Sequence, residues 1–521
     1  MTTERTIRGG AAGEGGYRPL VAGPGEPHQH RTELAPAPAR LGTPTVTIAH
    51  LSDLHLCDAQ SPARAEFLDR WVDPDSALRG HIQEIGTYRA QEMMSAHVAE
   101  AMTRALNAID EGPVGGAPVD FGVVTGDNTD NAQANELDWY LALLDGGTVR
   151  PDSGDLTRYE GVADDVVDDE RHWHPNAVHP DLPRMRYGLP EVPGLLDAVR
   201  APFDATGLDV PWLAVHGNHD QLLQGTVPGS AALAAVAVGA TKAVGLPAHW
   251  TDDAIIALVA GLARCDPAAL EALGAARTRP VTPDPARRII TRDQFVEAHF
   301  HDRARPKGHG FAADGRAYYR HDHGDCTVLV MDTVDEHGGW DGSLDAEQLE
   351  WLESEMDAAD REHRYVILAS HHPLRTMVND TWAAGTPSRV LGAEFDAVLA
   401  RHPSVVMWLN GHTHHTGIVA HGSWWEITTP SLIDWPQQSR IVEVLRSDGT
   451  LTIATTMVDH CGSPSWDSSI DAPLALASLS RELAANDWQS RSYALEQSPR
   501  AGTAADRNVL LHLRDPWQIG A

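Results

Sequence analysis

Short runs of apolar and β-branched residues recur along the chain and predict buried strands. They fall at 45–51, 119–125, 210–215, 326–331, 365–369, 405–409 and 424–429. A Ser-Asp-Gly-Thr turn at 447–450 separates two further runs, 441–445 and 451–455, and predicts an antiparallel hairpin. Apolar residues at helical spacing predict helices over about 76–110 and 344–356. This alternation of strands and helices indicates an α/β fold.

Several segments depart from that alternation and suggest how the chain is divided. Residues 1–44 are rich in Gly, Pro and Ala, which predicts a flexible N-terminal arm or a strap on the surface. Residues 146–205 are acidic and 221–310 are Ala-rich, and both interrupt a core domain that spans 45–460. Residues 461–521 contain a periodic apolar stretch, which predicts a C-terminal helical tail.

Composition narrows the possible partners. The chain has 40 basic and 73 acidic residues and a formal net charge of −33, which disfavours binding to nucleic acid or anionic lipid. A negative substrate would therefore need a local positive charge.

Cys57, Cys265, Cys326 and Cys461 are widely spaced and are predicted to be reduced thiols. No apolar stretch is long enough to span a membrane or resembles an export signal, so we expect a cytoplasmic protein.

Residues that can bind metal ions follow five of the predicted strands. They form the blocks Ser52-Asp53-Leu54-His55, Gly126-Asp127-Asn128-Thr129-Asp130, Gly217-Asn218-His219-Asp220, Ser370-His371-His372-Pro373 and Gly411-His412-Thr413-His414. Each block alone is typical of a turn or a surface loop. Because ligands of open α/β sheets gather at the carboxyl ends of strands, five such blocks predict one shared cleft. Mixed His, Asp and Asn donors suit Mn, Fe, Zn or Co better than Ca.

The order of these blocks resembles the signature of the calcineurin-like metallophosphoesterase superfamily. That signature is D-x-H, G-D-x-x-D, G-N-H-[DE], a later H and G-H-x-H, and the resemblance covers about 45–460. The overall layout, with Met331-Asp332-Thr333 and a predicted helix at 348–352, looks like a long bacterial subgroup of unassigned substrate. The resemblance implies an α/β fold with a metallophosphoesterase-type two-sheet β-sandwich core flanked by helices. The two long insertions would then form a cap beside the cleft.

The resemblance also implies a pair of transition-metal ions, divalent or trivalent, with Mn, Fe or Zn as the expected elements. Asp127 would bridge the two ions, which such sites hold about 3.5–4 Å apart. The other ligands of the first ion would be Asp53, His55 and His414. Those of the second ion would be Asn218, His371 and His412, with His372 as the rival of His371.

The expected chemistry follows from this arrangement. Two metal ions lower the pKa of a bridging water, so a metal-bridging hydroxide would attack phosphorus. His219 is not among the implied ligands and would be the general acid that protonates the leaving alkoxide, with Asp220 orienting its ring. Alternatively, His219 is a residue of the turn with a structural role only.

The sequence therefore predicts a dinuclear metal-dependent hydrolase of small phosphate esters. A phosphodiesterase is favoured because the histidine-rich ligand set and the 371–373 block are similar to a bacterial cyclic-nucleotide and glycerophosphodiester branch. A phosphomonoesterase and a nucleotide pyrophosphatase are the alternatives. A non-catalytic scaffold is disfavoured, since no implied ligand is missing, and a nuclease is disfavoured by the acidic charge.

Overall fold

Two β-sheets organise the fold of this chain. The computed structural model describes residues 1–82, 87–166, 169–262, 264, 266–380, 388–490, 495 and 498–518. The strands are β1 (Arg5–Gly9), β2 (Leu20–Pro24), β3 (Gln29–Arg31), β4 (Thr43–Leu51), β5 (Phe121–Val124), β6 (Gly147–Val149), β7 (Phe203–Ala205), β8 (Trp212–Ala214), β9 (Thr241–Gly245), β10 (Arg277–Pro280), β11 (Tyr319–His323), β12 (Cys326–Val330), β13 (Tyr365–Ala369), β14 (Val405–Asn410), β15 (Gly417–His421), β16 (Trp424–Thr428), β17 (Gln438–Ser447), β18 (Thr450–Asp459) and β19 (Val509–Arg514). The α-helices are α1 (Ser95–Asn107), α2 (Ala134–Asp145), α3 (Leu182–Tyr187), α4 (Leu195–Ala198), α5 (Ala231–Ala237), α6 (Asp252–Leu262), α7 (Pro267–Ala272), α8 (Arg292–Ala298), α9 (Ala346–Glu362), α10 (Gly392–Leu399) and α11 (Pro473–Ala485).

The strand order places several carboxyl ends side by side. One sheet has the order β3-β19-β18-β17-β4-β5-β8, and the other has the order β11-β12-β13-β14-β16-β15. In the first sheet β4, β5 and β8 are parallel neighbours. In the second sheet β12, β13, β14 and β16 are parallel neighbours. The loops that follow β4, β5 and β8 therefore leave one edge of their sheet together, as do those that follow β13 and β14.

The two sheets share a hydrophobic core. Alternate residues of a strand point to opposite faces, and β13 shows the consequence. Ile367 and Ala369 join the large cluster that also contains Val123 and Ile441 of the other sheet. Val366 and Leu368 of β13 instead pack with apolar residues of α9 and α10. The predicted α/β class, a two-sheet sandwich flanked by helices, is confirmed.

One predicted helix is wrong over half of its length. Instead of a helix over about 76–110, the chain forms turns up to residue 82, a short 3-10 helix at Glu92–Met94 and then α1. Leu78 and Ile82 have helical spacing but pack against Ile255 and Val259 of α6. A tertiary contact thus accounts for the apolar positions. Residue 85, which belonged to the same pattern, lies outside the described residues.

Both ends of the chain are more tightly integrated than the sequence suggests. Residues 1–44 were expected to be a flexible arm or a surface strap, and the structure has β1 paired with β2 and β3 paired with β19 at the edge of the large sheet. The predicted helical tail at 461–521 needs a correction. It contains α11, but it also contains β19, which pairs with β18 because its apolar residues complete the sheet core.

The two predicted insertions contain secondary structure of their own. The first, 146–205, has the β6–β7 pair with α3 and α4, and the second, 221–310, has α5 to α8 with the β9–β10 pair. The first insertion contacts the segment that follows the first motif, where Ser153 donates a hydrogen bond to Asp58 (2.7 Å) and Gln60 donates one to Asp152 (2.9 Å).

Two further sequence expectations concern thiols and membrane association. Cys57, Cys326 and Cys461 are free thiols, and Cys265 lies outside the described residues. Within the described part of the chain, no helix combines the length and the apolar character needed to cross a membrane.

Candidate metal centre

The loops that carry the five motifs meet at the ends of the two sheets. Asp53 N donates to Gly126 O (3.0 Å), and His55 N donates to Asp127 O (2.9 Å), which joins the loops after β4 and β5. The loops after β13 and β14 are joined by the bond from Gly411 N to His371 O (3.0 Å). The structure therefore brings the predicted metal-competent residues into one buried cleft.

Asp53, His55 and His414 form one group of donor atoms. His414 Nε2 lies 3.4 Å from Asp53 Oδ1 and 3.1 Å from His55 Nε2. The donor atoms of all three residues lie within 4.8 Å of one another, which is the spacing that ligands of a single ion adopt. Backbone NH of His412 donates to both oxygens of Asp53 (3.1 Å each), so the orientation of that carboxylate is fixed.

Asp127 lies between this group and a second one. Its Oδ2 is 3.6 Å from His55 Nε2 and 3.1 Å from His371 Nε2. Its Oδ1 accepts a hydrogen bond from His219 N (2.8 Å). Burial acts to raise the pKa of Asp127, but the neighbouring imidazoles, led by His371, outweigh it and hold the pKa well below its ordinary value. Asp127 is therefore an anionic carboxylate with histidines on two sides.

The donor atoms of His371, His372 and His412 lie within 4.8 Å of one another and form the second group, for which the sequence also predicts Asn218 as a ligand. The rings of His371 and His412 have centroids 5.0 Å apart. Asn218 Nδ2 donates to Gly225 O (2.9 Å), which fixes the amide, while Asn218 Oδ1 is buried without a hydrogen-bond partner among the described residues. His371 Nε2 faces Asp127 Oδ2 at 3.1 Å. A buried acceptor without a partner, such as Asn218 Oδ1, is costly unless an ion or water satisfies it.

The structure separates His371 from its neighbour His372. His371 Nδ1 hydrogen-bonds to Thr125 O (2.8 Å), so its Nε2 is directed at Asp127. In His372, Nδ1 pairs with Thr333 Oγ1 (2.8 Å) and Nε2 pairs with Trp340 O (3.0 Å). Both nitrogens of His372 are occupied, which favours His371 as the metal ligand.

The backbone of the site is held in an uncommon conformation. Asp53, His55, Asp127, His412 and His414 have φ values between +45° and +66°, in the left-handed region that glycine prefers. Such residues cost of order 1–3 kcal/mol each and persist where the surrounding structure enforces them, which is typical of functional sites. Five of the seven predicted ligands share this feature.

Carboxylates behind the histidines orient their rings. His55 Nδ1 pairs with Asp130 Oδ1 (3.1 Å), and His414 Nδ1 pairs with Asp434 Oδ2 (2.6 Å). These bonds keep the proton on Nδ1 and leave Nε2 free to bind a metal. For His414, burial lowers the pKa, but Asp434 and Asp53 outweigh it and raise the pKa to about 9. For His55, burial dominates and lowers the pKa to about 3.

The sequence indicated only one of the two carboxylates that orient these histidines. Asp130 was visible as the last residue of its motif, but Asp434 carries no motif and its role emerges only from the fold. Arginines stabilise both carboxylates in their charged form. Arg64 pairs with Asp130, while Arg89 (2.8 Å) and Arg500 (3.0 Å) pair with Asp434.

His219 lies beside the donor groups, and the predicted role of Asp220 is wrong. His219 Nδ1 pairs with the Asp130 carbonyl oxygen (2.6 Å), and its ring packs edge-on to His55 at 4.6 Å. Burial lowers the pKa of His219 to about 3. Asp220 does not orient this ring, because both of its oxygens already accept hydrogen bonds from Gly217 N and from the backbone and side chains of Asn128 and Thr129.

The residues present fit a pair of metal ions. The donor set combines imidazoles, carboxylates and one amide, which suits borderline transition metals. Asn218 Oδ1 is buried without a hydrogen-bond partner among the described residues, and His55, His371 and His414 are each fixed through Nδ1 with Nε2 directed inward. These inward-facing nitrogen and oxygen atoms are suited to binding two metal ions.

Comparisons with known proteins give matches among solved structures. No family model and no curated protein sequence matches the chain. Among solved structures, the chain is similar to a dimetal phosphatase from Danio rerio at 12% identity and a TM-score of 0.35, covering 80% of this chain and 99% of that one. It is also similar to the calcineurin-like phosphoesterase YfkN from Bacillus subtilis at 11% identity and a TM-score of 0.25, covering 80% and 91%.

Proposed function

We propose that this protein is an enzyme that hydrolyses phosphate esters with a pair of transition-metal ions. The observation that supports this best is the position of Asp127. Its carboxylate lies between two groups of donor atoms, and imidazoles from both groups approach the same oxygen, at 3.6 Å and 3.1 Å. Two ions that share one carboxylate form the arrangement used by many phosphoester hydrolases.

Each ligand has an assigned role in this proposal. Asp53, His55 and His414 would hold one ion, Asn218, His371 and His412 would hold the other, and Asp127 would contribute to both. When bound, the ions supply a Lewis acid for the phosphoryl oxygens and lower the pKa of water. Three ligand rings are fixed before the substrate binds. Nδ1 of His55, His371 and His414 is already hydrogen-bonded, so only Nε2 of each ring is available to a metal ion.

His219 is assigned the transfer of a proton to the leaving group. Its Nδ1 donates to the Asp130 carbonyl (2.6 Å), so the neutral ring has a bare Nε2. The protonated ring carries a second proton on Nε2, and that proton is the one available to a departing alkoxide. Burial alone disfavours the protonated ring, and an anionic phosphate bound next to it would favour that form.

The charge balance of the site favours a phosphodiester. Arg64, Arg89 and Arg500 lie behind the metal ligands, and all three are already paired with Asp130 or Asp434. They supply little additional positive charge to the cleft. A diester carries one negative charge and a monoester carries up to two, so the diester is the better match. Phosphomonoesterase and nucleotide pyrophosphatase activities remain the alternatives.

Metal analysis combined with a substrate panel tests the proposal. We expect close to two transition-metal ions per chain and faster hydrolysis of bis(p-nitrophenyl) phosphate than of p-nitrophenyl phosphate. Asp127→Ala should lose both ions and the activity, whereas Asp314→Ala, which removes a carboxylate from another loop, should lose neither. A metal-loaded chain that cleaves no phosphoester, or Asp127→Ala with unchanged metal content, would contradict the proposal.

A further inference from the structure

A small apolar cavity opens directly beside His219. Its volume is about 150 Å³, and Asp130 and His219 are among the residues that line it. Six leucines line much of the remaining wall, namely Leu68, Leu223, Leu233, Leu262, Leu270 and Leu273. The cavity thus connects the residue assigned to proton donation with a hydrophobic interior.

The second insertion builds most of this wall. Leu233 belongs to α5, Leu262 ends α6 and Leu270 belongs to α7. Leu68 comes from the segment after the first motif and packs in one buried cluster with Leu262 and its neighbours. Because both sides of the wall are anchored in this packed cluster, the cavity is a preformed part of the fold. The motif loops supply the chemistry, and the insertion supplies the apolar surface.

The charge and size of the cavity limit what it can hold. Among the described residues that line it there is no Lys or Arg, so nothing there neutralises the additional phosphates of a nucleotide. An apolar protein cavity of about 150 Å³ is large enough for a benzene molecule. A polyol such as glycerol would lose hydrogen bonds to water on entering and would find mostly hydrocarbon.

We propose that this cavity binds the alcohol portion of the substrate, and that this portion is an apolar group about the size of a benzene ring. The substrate class is then an aryl, benzyl or short-chain alkyl phosphoester. The proposal rests on the proposed function, because His219 must face the leaving oxygen. It argues against glycerophosphodiesters and nucleoside pyrophosphates as the natural substrates.

A pair of matched diesters tests the proposal in the intact, metal-loaded protein. Benzyl methyl phosphate and glyceryl methyl phosphate release alkoxides of similar basicity, so their intrinsic reactivities are comparable. Burial of a methylene contributes about 0.8 kcal/mol, or roughly fourfold in affinity. Several buried carbons should therefore give the benzyl ester an advantage of at least tenfold in kcat/KM.

Substitutions in the cavity wall should remove that advantage. Leu233 and Leu270 are only half-buried, so the double variant Leu233→Gln/Leu270→Gln is expected to fold, which a thermal melt checks. Its benzyl-to-glyceryl ratio of kcat/KM should fall at least tenfold. Leu156→Gln is the matched control, because Leu156 is an exposed leucine (49%) of the other insertion, and it should keep the wild-type ratio. Equal turnover of the two esters by the wild type, or an unchanged ratio in the double variant, would overturn the proposal.

A binding measurement separates this proposal from the proposed function. In ¹⁹F NMR titrations, 4-fluorobenzyl alcohol should bind the wild-type protein saturably, and the double variant should bind at least tenfold more weakly. If binding follows this pattern but no ester is hydrolysed, the cavity assignment stands and the hydrolase assignment fails. If esters are hydrolysed but the alcohol does not bind, the cavity assignment fails alone.

Discussion

Replacing Asp434 by Asn should weaken metal binding although Asp434 is not itself a ligand. Asp434 is buried, and its Oδ2 lies 2.6 Å from His414 Nδ1 while its Oδ1 lies 2.8 Å from Arg89 Nε. The amide of Asn can satisfy only one of these neighbours with its oxygen. If that oxygen faces Arg89, the NH₂ group faces His414 and makes Nδ1 an acceptor, which moves the ring proton to Nε2. His414 then cannot bind the ion.

The size of the effect follows from similar supporting carboxylates. Loss of such a partner typically costs 10–100-fold in metal affinity, or about 1.4–2.7 kcal/mol. The assay is competition with a chelator of known affinity, followed for Zn²⁺ or Mn²⁺ at constant pH. Asp515→Asn is the matched control. Asp515 is also buried and arginine-paired, but it hydrogen-bonds to Tyr365 at the start of β13, at the opposite end of that strand from the His371 loop.

Two results would refute this reasoning. If folded Asp434→Asn binds metal within twofold of the wild type, Asp434 does not control the orientation of His414. If Asp515→Asn weakens metal binding equally, the effect arises from a general loss of stability rather than from the hydrogen bond.

Four further substitutions test three assignments in the site. His219→Ala should retain both ions but lower kcat by about 10²–10⁴-fold for alkyl esters and much less for nitrophenyl esters, and loss of an ion or equal slowing of both substrates would contradict its role. Asp220→Asn should lower the free energy of unfolding by about 1–3 kcal/mol in a denaturant titration, because an amide cannot accept all five hydrogen bonds, and it should leave the dependence on leaving group unchanged. His371→Ala should lose one ion whereas His372→Ala should keep both, as measured by elemental analysis, and the reverse pattern would exchange their roles.

Local sequence patterns were sufficient to predict those strands whose residue types are determined by burial. Strands β12, β13 and β14 are buried on both faces, so each is a continuous apolar run that the sequence makes visible. The five motifs follow strands, so their convergence could also be predicted. The same patterns failed at Leu78 and Ile82, where helical spacing reflects contact with a distant helix rather than a local one.

Partners that are distant in sequence account for what could not be predicted. Asp434 supports His414 from a loop without a motif, and His372 is held by Thr333 and by the Trp340 carbonyl, both more than 30 residues before it. The choice between His371 and His372 depends on these contacts, since neighbouring histidines are equivalent in the sequence. The same holds for Asp220, whose hydrogen-bond partners other than Gly217 are on the preceding motif loop.

The left-handed backbone at five of the predicted ligands has a consequence for protein engineering. A method that selects residues for stability alone would place Gly at Asp53, His55, Asp127, His412 and His414, since glycine adopts such φ values at the least cost. Each replacement would relieve the backbone and remove a donor atom. Stabilised versions of this protein therefore need these positions fixed in advance, and the most stable sequence for this fold is expected to be an inactive one.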